Sequence, residues 1–356
     1  MDFNKIFANK KVLITGHTGF KGSWLAYWLN MLNSKVVAMS VDIPTTPSHY
    51  ELNSDFYISD SRIDINNYKK VLEFIISEKP DFIFHLAAQP IVLESYENPL
   101  KTFNTNTIGS LNIMEALRIS NHKCCVVMIT SDKCYENIEK TEGYVETDQL
   151  GGKDPYSASK GAAEIIFHSY YESYFKQQNS NLRIASARAG NVMGGGDWAD
   201  RRIVPDCMKS WSRGKVVEIR NPNSTRPWQH VLEPISGYIS LAANLYNNIS
   251  ISGESFNFGP SMNDNQTVES LVREMTKSWP GSKYEVIEKN ASHHEAGLLA
   301  LNCDKAKDIL NWNHNLSFSE TTQWTSDWYY TYYNSGPAAA MKVTEDQIKN
   351  YINLYM

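Results

Sequence analysis

Tyr156 and Lys160 stand four residues apart in the run Tyr156-Ser157-Ala158-Ser159-Lys160, a spacing that puts a phenol and an ammonium on one face of a helix. A phenol gives up its proton near pH ~10 in water, and a fixed cation within reach stabilises the phenolate. Such a pair can act as a base. The same spacing also describes an ordinary exposed pair on a solvated helix. A second cluster, Thr130-Ser131-Asp132-Lys133, ends the apolar run Cys124 to Ile129. Ligands of doubly wound sheets bind beyond the carboxyl ends of the strands, where hydroxyl, carboxyl and amine groups could handle protons.

A third feature precedes both. Gly16-His17-Thr18-Gly19-Phe20-Lys21-Gly22 follows the apolar run Val12-Leu13-Ile14 and leads into Ser23-Trp24-Leu25, which reads as strand, glycine turn, helix. Glycines there let the backbone approach a pyrophosphate, and the helix start offers unpaired N–H groups. A tight βα turn with no ligand is the alternative, because G-x-x-G-x-x-G is one residue longer than the usual dinucleotide fingerprint. Asp42, after the second apolar run, is placed to accept from ribose hydroxyls. A carboxylate there repels the 2′-phosphate of NADP, and no arginine lies within several residues, so NAD is favoured. Asp64-Ile65 reads either as the cap of a third strand near the adenine or as plain surface.

These groups need a scaffold. Val12–Thr15, Val36–Ser40, Phe82–Leu86, Cys124–Thr130 and Leu182–Ala187 alternate with helix-like stretches, which predicts an α/β fold, a Rossmann-type doubly wound parallel sheet. Trp24, Tyr27, Trp28, Met31 and Leu32 give the first helix one apolar face. Asn104 to Ser120 and Tyr156 to Phe175 read as two long helices. After Gly190 the alternation weakens, so a smaller mixed α/β substrate lobe is expected. The division is 1–190 for the NAD-binding domain, with 230–260 returning to it, 191–229 and 261–333 for the substrate lobe, and 334–356 for a C-terminal tail. In that tail Gly336 to Ala340 reads as a spacer before a last helix at Thr344 to Tyr355.

Composition narrows the class. A chain of 356 residues with net charge −5 has length for two lobes, and no basic block points to nucleic acid. The five cysteines show no C-x-x-C spacing, which argues against a disulfide framework or zinc site. Adjacent Cys124 and Cys125 belong on opposite faces of one strand. His293-His294-Glu295 diverge along one segment and make no metal site. No apolar run reaches the ~18 residues of a membrane span, and the N-terminal stretch has no leader-like core. A cytoplasmic protein acting on small molecules is expected, with no membrane and no metal.

Taken together, the G-x-x-G-x-x-G turn, the strand-end hydroxyl, the Tyr-x-x-x-Lys pair, His85-Leu86-Ala87-Ala88-Gln89 and Asn106 to Gly109 resemble the extended short-chain dehydrogenase/reductase family. Within it, Ser131-Asp132-Lys133 followed by Tyr135 resembles the nucleotide-sugar 4,6-dehydratases. GHTGFKGSWL, TSDKCYEN, LGGKDPYSASKG, AGNVMGGGDW and RNPNSTRPWQHVLEPISGY resemble the CDP-glucose branch of those dehydratases. His17, Lys21 and Trp24 match that branch's form of the turn. The matches span residues ~11 to ~240, with a fainter one in HEAGLLALNCDKAKDILNW.

The resemblance implies an NAD site lined by Gly16, His17, Thr18, Gly19, Phe20, Gly22, Asp42, Asp64, Ile65, Leu86, Ala87, Ala88, Gln89, Thr130, Tyr156 and Lys160. It implies CDP-glucose, or another nucleotide sugar, as substrate, with Gln89, Ser131, Asn191, Arg202, Arg220, Arg226 and His230 as binding residues. Arg226 is the leading candidate for the pyrophosphate, and Pro227-Trp228 after it reads as an anchor between lobes or a stacking surface for the base.

In the implied reaction Tyr156 takes the proton of the 4-hydroxyl as hydride leaves carbon 4 for NAD, while Lys160 holds the phenolate and the nicotinamide ribose. Ser131 binds the same oxygen. Water then leaves across carbons 5 and 6, and hydride returns to carbon 6. Asp132 is the candidate acid and Lys133 the candidate base, in place of the glutamate of dTDP-glucose dehydratases. Lys133 as a plain partner of Asp132, or as a cation stabilising the enolate, stays open. A 4-epimerase would leave Asp132 and Lys133 unexplained, and an NAD-binding scaffold would leave the whole cluster so. Relatives pair through the helices at Asn104 and Tyr156, which implies a homodimer.

Overall fold

A computed structural model describes residues 3–177, 181–219, 221–261, 265–287 and 298–355. In chain order its strands are β1 Lys11–Thr15, β2 Lys35–Ser40, β3 Ser59–Arg62, β4 Phe82–His85, β5 Cys124–Ile129, β6 Leu182–Ala189, β7 Val192–Met193, β8 Val217–Ile219, β9 Thr225–Arg226, β10 Gln229–His230, β11 Ser255–Phe258, β12 Gln266–Thr267 and β13 Tyr284–Val286. The helices are α1 Phe3–Phe7, α2 Phe20–Met31, α3 Tyr68–Glu78, α4 Val92–Glu97, α5 Pro99–Phe103, α6 Gly109–Ser120, α7 Pro155–Tyr170, α8 Ile203–Trp211, α9 Leu232–Asn247, α10 Val268–Thr276, α11 Asp304–Leu310, α12 Phe318–Ser335 and α13 Pro337–Tyr355.

Seven strands form one sheet in the order β11-β6-β5-β4-β1-β2-β3, and every pairing in it is parallel. The strands are nearly continuous apolar runs because both faces are covered. Alternate residues point to opposite faces: Val12, Ile14, Phe82, Phe84, Cys125 and Val127 pack with α2 and α9, while Leu13, Ile83, Cys124 and Val126 pack with α3, α6 and α7. The two neighbouring cysteines do face opposite ways. The strand order reverses between β1 and β4, so the ends of β1, β4 and β5 open onto one crevice.

The five sequence-read strands are present. The third strand that the sequence left open before Asp64 is present as β3, whose run Ser59-Asp60-Ser61-Arg62 is half charged and lies at the sheet edge; the sequence passed over β11, which pairs with β6 from 66 residues downstream of β6's end (255 − 189). The stretch read as one helix from Asn104 divides into a π turn at Asn104–Ile108 and α6, and α7 also runs into a π turn at Tyr171–Phe175. The residues read as a spacer are helical from Pro337. α13 buries Ala340, Thr344, Ile348 and Tyr351 against the body, so this segment belongs to the core. Around the carboxyl edge the chain adds three two-stranded pairs, β7 with β10, β9 with β12 and β8 with β13. No described helix is long and apolar enough to cross a membrane.

Candidate active site

At the end of β1 the chain turns at Gly16, whose φ is +76° and whose missing Cβ would fall 2.7 Å from Ala87 N. A Cβ at Gly22 would fall 2.2 Å from Gly16 O, so turn and helix touch through bare backbone. Gly19 caps α2 in extended conformation and supplies no side-chain acceptor. The first N–H groups of a twelve-residue helix are therefore left for another partner, which fits a pyrophosphate. Thr18 Oγ1 donates to the Asp42 carbonyl at 2.6 Å, fixing Asp42 at the exposed rim of the crevice, where a ribose acceptor belongs.

His17 takes no place in that rim. It is fully buried, with Nε2 2.9 Å from Asp60 Oδ1 and Nδ1 3.1 Å from Ser40 Oγ, and burial pushes its pKa down against the pull of Asp60. It buckles β2 to β3 beneath the turn. Asp60 is also held by Tyr50 and Arg62. Register puts Arg62 opposite Ser40, so an arginine does stand near the end of β2, contrary to the reading from chain distance. Its guanidinium is engaged by Asp60 and, at 3.0 Å, by Tyr50 Oη. Asp64 Oδ1 accepts from Asn66 N at 2.9 Å, and buried Ile65 is pressed against Gly109.

Leu86, Ala87 and Ala88 line the end of β4, half-buried, with Ala87 N donating to Thr15 Oγ1 at 3.1 Å. The Gln89 side chain is hydrogen-bonded within the protein. Its amide donates to Ile91 O at 3.1 Å and Thr102 Oγ1 at 2.9 Å, and its backbone N donates to Asn106 Oδ1. Its amide braces α4 and α5.

The chemical groups do converge. Asp154 caps α7 by accepting from Ser157 N at 3.0 Å, and Pro155 begins the helix, as a missing N–H permits there. Tyr156 consequently lies at the helix start, buried, and hydrogen-bonded to Ser131 from the end of β5. Burial pushes its phenol up to about 12, with Ser131 and Arg202 opposing the rise and Asp132 and Asp154 adding to it. The expected lowering by Lys160 is not what the fold produces, because the cost of desolvating a phenolate outweighs the cations near it. One turn on, buried Lys160 is lowered to about 8 by burial, and Glu164 and Cys134 oppose that. It stays mostly charged at neutral pH.

Asp132 opens a 3₁₀ turn and is 1% exposed. Its Oδ1 accepts from Ser131 Oγ at 2.8 Å and lies 3.7 Å from Lys133 Nζ. Its Oδ2 is buried without a partner and would be 3.4 Å from a Cβ at Gly190. A buried carboxyl oxygen normally has a partner, so this one is a group held in reserve. Lys133 is more open, at 29% side-chain exposure.

Behind this layer Glu164 pairs with Arg188 at 2.9 Å, both buried, and Glu164 accepts from Thr130 and Ser186. Thr130 is therefore committed to holding α7 against β5 and β6. The sequence reading missed Glu164 and Arg188. Their signal was present, since Glu164 follows Lys160 by four residues and Arg188 interrupts an apolar strand.

On the substrate side Arg202 Nη1 bonds Asp197 Oδ2 at 2.8 Å and acts on the Tyr156 phenol, which brings it to the reaction centre. Half-buried Asn191 follows β6, its carbonyl accepting from Gln229 N at 3.1 Å. Arg226, also half-buried, lies on β9 with Nη1 2.7 Å from Thr225 O. Trp228 is buried and its indole donates to Gln266 O at 3.1 Å, an anchor rather than a stacking surface. His230 is fully buried, edge-on to Trp24 and Trp324, and burial takes its pKa to about 3. It is a packed core histidine and not a substrate contact. Arg220 and His293-His294-Glu295 lie outside the described residues. Among the described residues no cluster could hold a metal ion.

The GDP-mannose 4,6-dehydratase family model matches residues 13–325. CDP-glucose 4,6-dehydratase of Salmonella typhimurium is 42% identical over 327 residues, 90% of this chain and 91% of that protein. Among solved structures, an epimerase from Methanothermobacter thermautotrophicus superposes with TM-score 0.79 at 23% identity, over 94% of this chain and 96% of the other. dTDP-glucose 4,6-dehydratase from Bacillus anthracis, in complex with NAD, superposes with TM-score 0.73 at 20% identity, over 93% and 99%. At those identities the structures speak for the fold.

Proposed function

The chain belongs to the GDP-mannose 4,6-dehydratase family of extended short-chain dehydrogenases/reductases, and from that premise we propose that it is an NAD-dependent nucleotide-sugar 4,6-dehydratase. Its substrate is CDP-glucose and its product CDP-4-keto-6-deoxyglucose. The observation that carries this reading is the buried, unpartnered Asp132 Oδ2 beside the Tyr156–Ser131 pair. A 4-epimerase has no use for an acid there; a dehydratase needs one.

NAD, when bound, would supply the hydride acceptor for carbon 4 and the hydride donor for carbon 6. Gly16, Gly19, Gly22 and the start of α2 would hold its pyrophosphate, Asp42 a ribose, and Lys160 the nicotinamide ribose. Tyr156, ionised with the support of the Lys160 ammonium against the cost of burial, would take the proton of the 4-hydroxyl, and Ser131, turned from Asp132 Oδ1, would donate to the same oxygen. Once carbon 4 is a ketone the proton on carbon 5 is acidic, and Lys133 as a neutral amine would take it. Asp132 gives a proton from Oδ2 to the 6-hydroxyl, which leaves as water. Arg202, Arg226 and Asn191 serve the nucleotide sugar's diphosphate. The groups following Gly190 form the substrate lobe.

The chain functions as a homodimer. Leu93, Tyr96, Leu100, Phe103, Ile108 and Ile165 are exposed on α4, α5, the adjoining π turn and α7, an apolar face of the kind that associates. Five free cysteines suit a reducing cytoplasm. The deciding experiment incubates the protein and NAD with a panel of nucleotide sugars and reads masses. Loss of water from CDP-glucose is expected; loss from another nucleotide sugar alone would reassign the substrate, and none from any would overturn the reading.

A further inference from the structure

Asp132 and Lys133 sit in a short turn, and one buried ion pair grips the chain on both sides of it. Ahead of the turn, Thr130 donates its hydroxyl to Glu164 Oε1. After it, Tyr135 Oη accepts from Arg188 Nη1 at 2.8 Å, and the Arg188 guanidinium lies over the Tyr135 ring, 4.9 Å from its centroid. Glu164 and Arg188 are themselves joined at 2.9 Å. Arg188 Nη1 also reaches the Glu146 carbonyl at 3.0 Å and Nη2 reaches Ser255 Oγ at 3.1 Å, so the planar fork is fixed at both prongs. Tyr135 donates its own proton to Asn257 Oδ1 at 2.7 Å. Buried, with proton and oxygen both engaged, this phenol is not placed to touch a substrate. A buried ion pair contributes little net stability over an apolar pair of the same shape, so its use lies in what it holds.

We propose that the Glu164–Arg188 pair, acting through Thr130 and Tyr135, is a clamp on the Asp132–Lys133 turn, and that Arg188 and Tyr135 are positioning residues for the loss of water rather than for the hydride step. The inference rests on the dehydratase reading above. The two steps are separable because their groups are anchored differently. Tyr156 and Lys160 belong to α7, which the Asp154 cap and the bond from Tyr156 N to Ser95 Oγ at 3.2 Å hold independently. Ser131 follows directly from β5, where Thr130 N donates to Ala187 O at 2.9 Å. Asp132 and Lys133 lie farther from the strand. The bonds that close their turn are long, 3.2 Å from Cys134 N to Ser131 O and 3.5 Å from Tyr135 N to Asp132 O. Their placement therefore depends on the anchored Tyr135.

The test is a single turnover of CDP-glucose on the protein loaded with NAD, in the wild type, Tyr135→Phe, Arg188→Lys and Tyr144→Phe. Absorbance of the reduced nicotinamide reads the hydride step and mass spectrometry reads water loss. Tyr135→Phe keeps the ring and cuts the link; Arg188→Lys keeps the charge facing Glu164 and loses the fork. Each should slow water loss about tenfold or more, the cost of slightly misplacing a proton-transfer group, while reduced nicotinamide appears at the wild-type rate and then accumulates. Tyr144→Phe is the control. Its ring stacks on Tyr135 with centroids 5.0 Å apart, but its hydroxyl serves Asn137 and Ile138, and it should react like the wild type. With no ligand present, amide hydrogen exchange across Ser131 to Tyr135 should quicken in Tyr135→Phe and not in Tyr144→Phe. Equal slowing of both steps, or the same loss in Tyr144→Phe, would overturn the proposal in favour of general packing. Unchanged water loss or unchanged exchange in Tyr135→Phe would overturn it outright. No reduced nicotinamide and no water loss in the wild type would instead sink the dehydratase reading.

Discussion

Asp132 and Lys133 are neighbours in the chain and differ in surroundings: one carboxyl almost fully buried with an oxygen to spare, one ammonium partly in solvent and 3.7 Å from it. That difference fits the proposed roles, proton donation by Asp132 and proton removal by Lys133 in its neutral amine form, and the proposal can be checked with isotopes. In deuterated solvent the wild type should place deuterium on carbon 5 of the product. Lys133→Met should form the carbon-4 ketone while slowing that exchange by at least about a hundredfold, seen by mass spectrometry; exchange at the normal rate would move the base elsewhere. The convergence of Tyr156, Lys160, Ser131 and Asp132 was legible because helix period and strand ends are local properties of a sequence. His17, Gln89 and His230 were not. Their partners, Asp60, Thr102 and Trp324, lie 43, 13 and 94 residues away along the chain (60 − 17, 102 − 89, 324 − 230), and a motif does not say which way its side chains turn.

At the scale of elements, α4, α5 and α7 stand on one side of the sheet with apolar residues facing outward. Leu100 is 80% exposed and Ile165 59%, which fits the proposed pairing of two subunits. Leu100→Asp combined with Ile165→Asp should halve the mass measured by light scattering while leaving the far-UV spectrum intact, since neither side chain packs inside the subunit. A wild type that runs as a monomer at every concentration would refute the dimer. The π turns at Asn104–Ile108 and Tyr171–Phe175 were invisible beforehand, because one extra residue in a helical turn leaves apolar periodicity almost unchanged. One consequence can be seen: Asn106 in the first of them bonds Ser159 Oγ at 2.9 Å and Gln89 O at 3.1 Å, tying α7 at the level of Lys160 to the end of β4.

Across the whole molecule, the segment beyond Gly336 closes the structure. His49 stacks on Trp24 with ring centroids 4.9 Å apart, and its Nε2 lies 3.2 Å from Thr344 Oγ1, which Trp328 also reaches at 2.8 Å. Deeper, Tyr351 Oη donates to Glu233 Oε2 at 2.6 Å, while Oε1 accepts from Asn315 N and Leu316 N. Burial raises Glu233 to about 7 against those donors. A carboxyl with a raised folded-state pKa contributes most below its unfolded value, so this stabilisation is full near pH 4.5 and fades as pH rises to about 7. Glu233→Gln, which cannot ionise, should make the denaturation midpoint less dependent on pH between 5 and 8 and raise it at pH 8. A steeper dependence in the variant would contradict the assignment. Composition and periodicity announced a helix near Thr344, but only the assembled core shows why its aromatic and polar residues are spaced as they are.

The last strand of the sheet, β3, is four residues long and carries Asp60 and Arg62 exposed. An open strand edge is a template on which another chain can add, and shortness and charge are the features that discourage it. Asp60 therefore serves twice: it seats His17 under the glycine turn, and it guards one of the two edges of the sheet along which another chain could add.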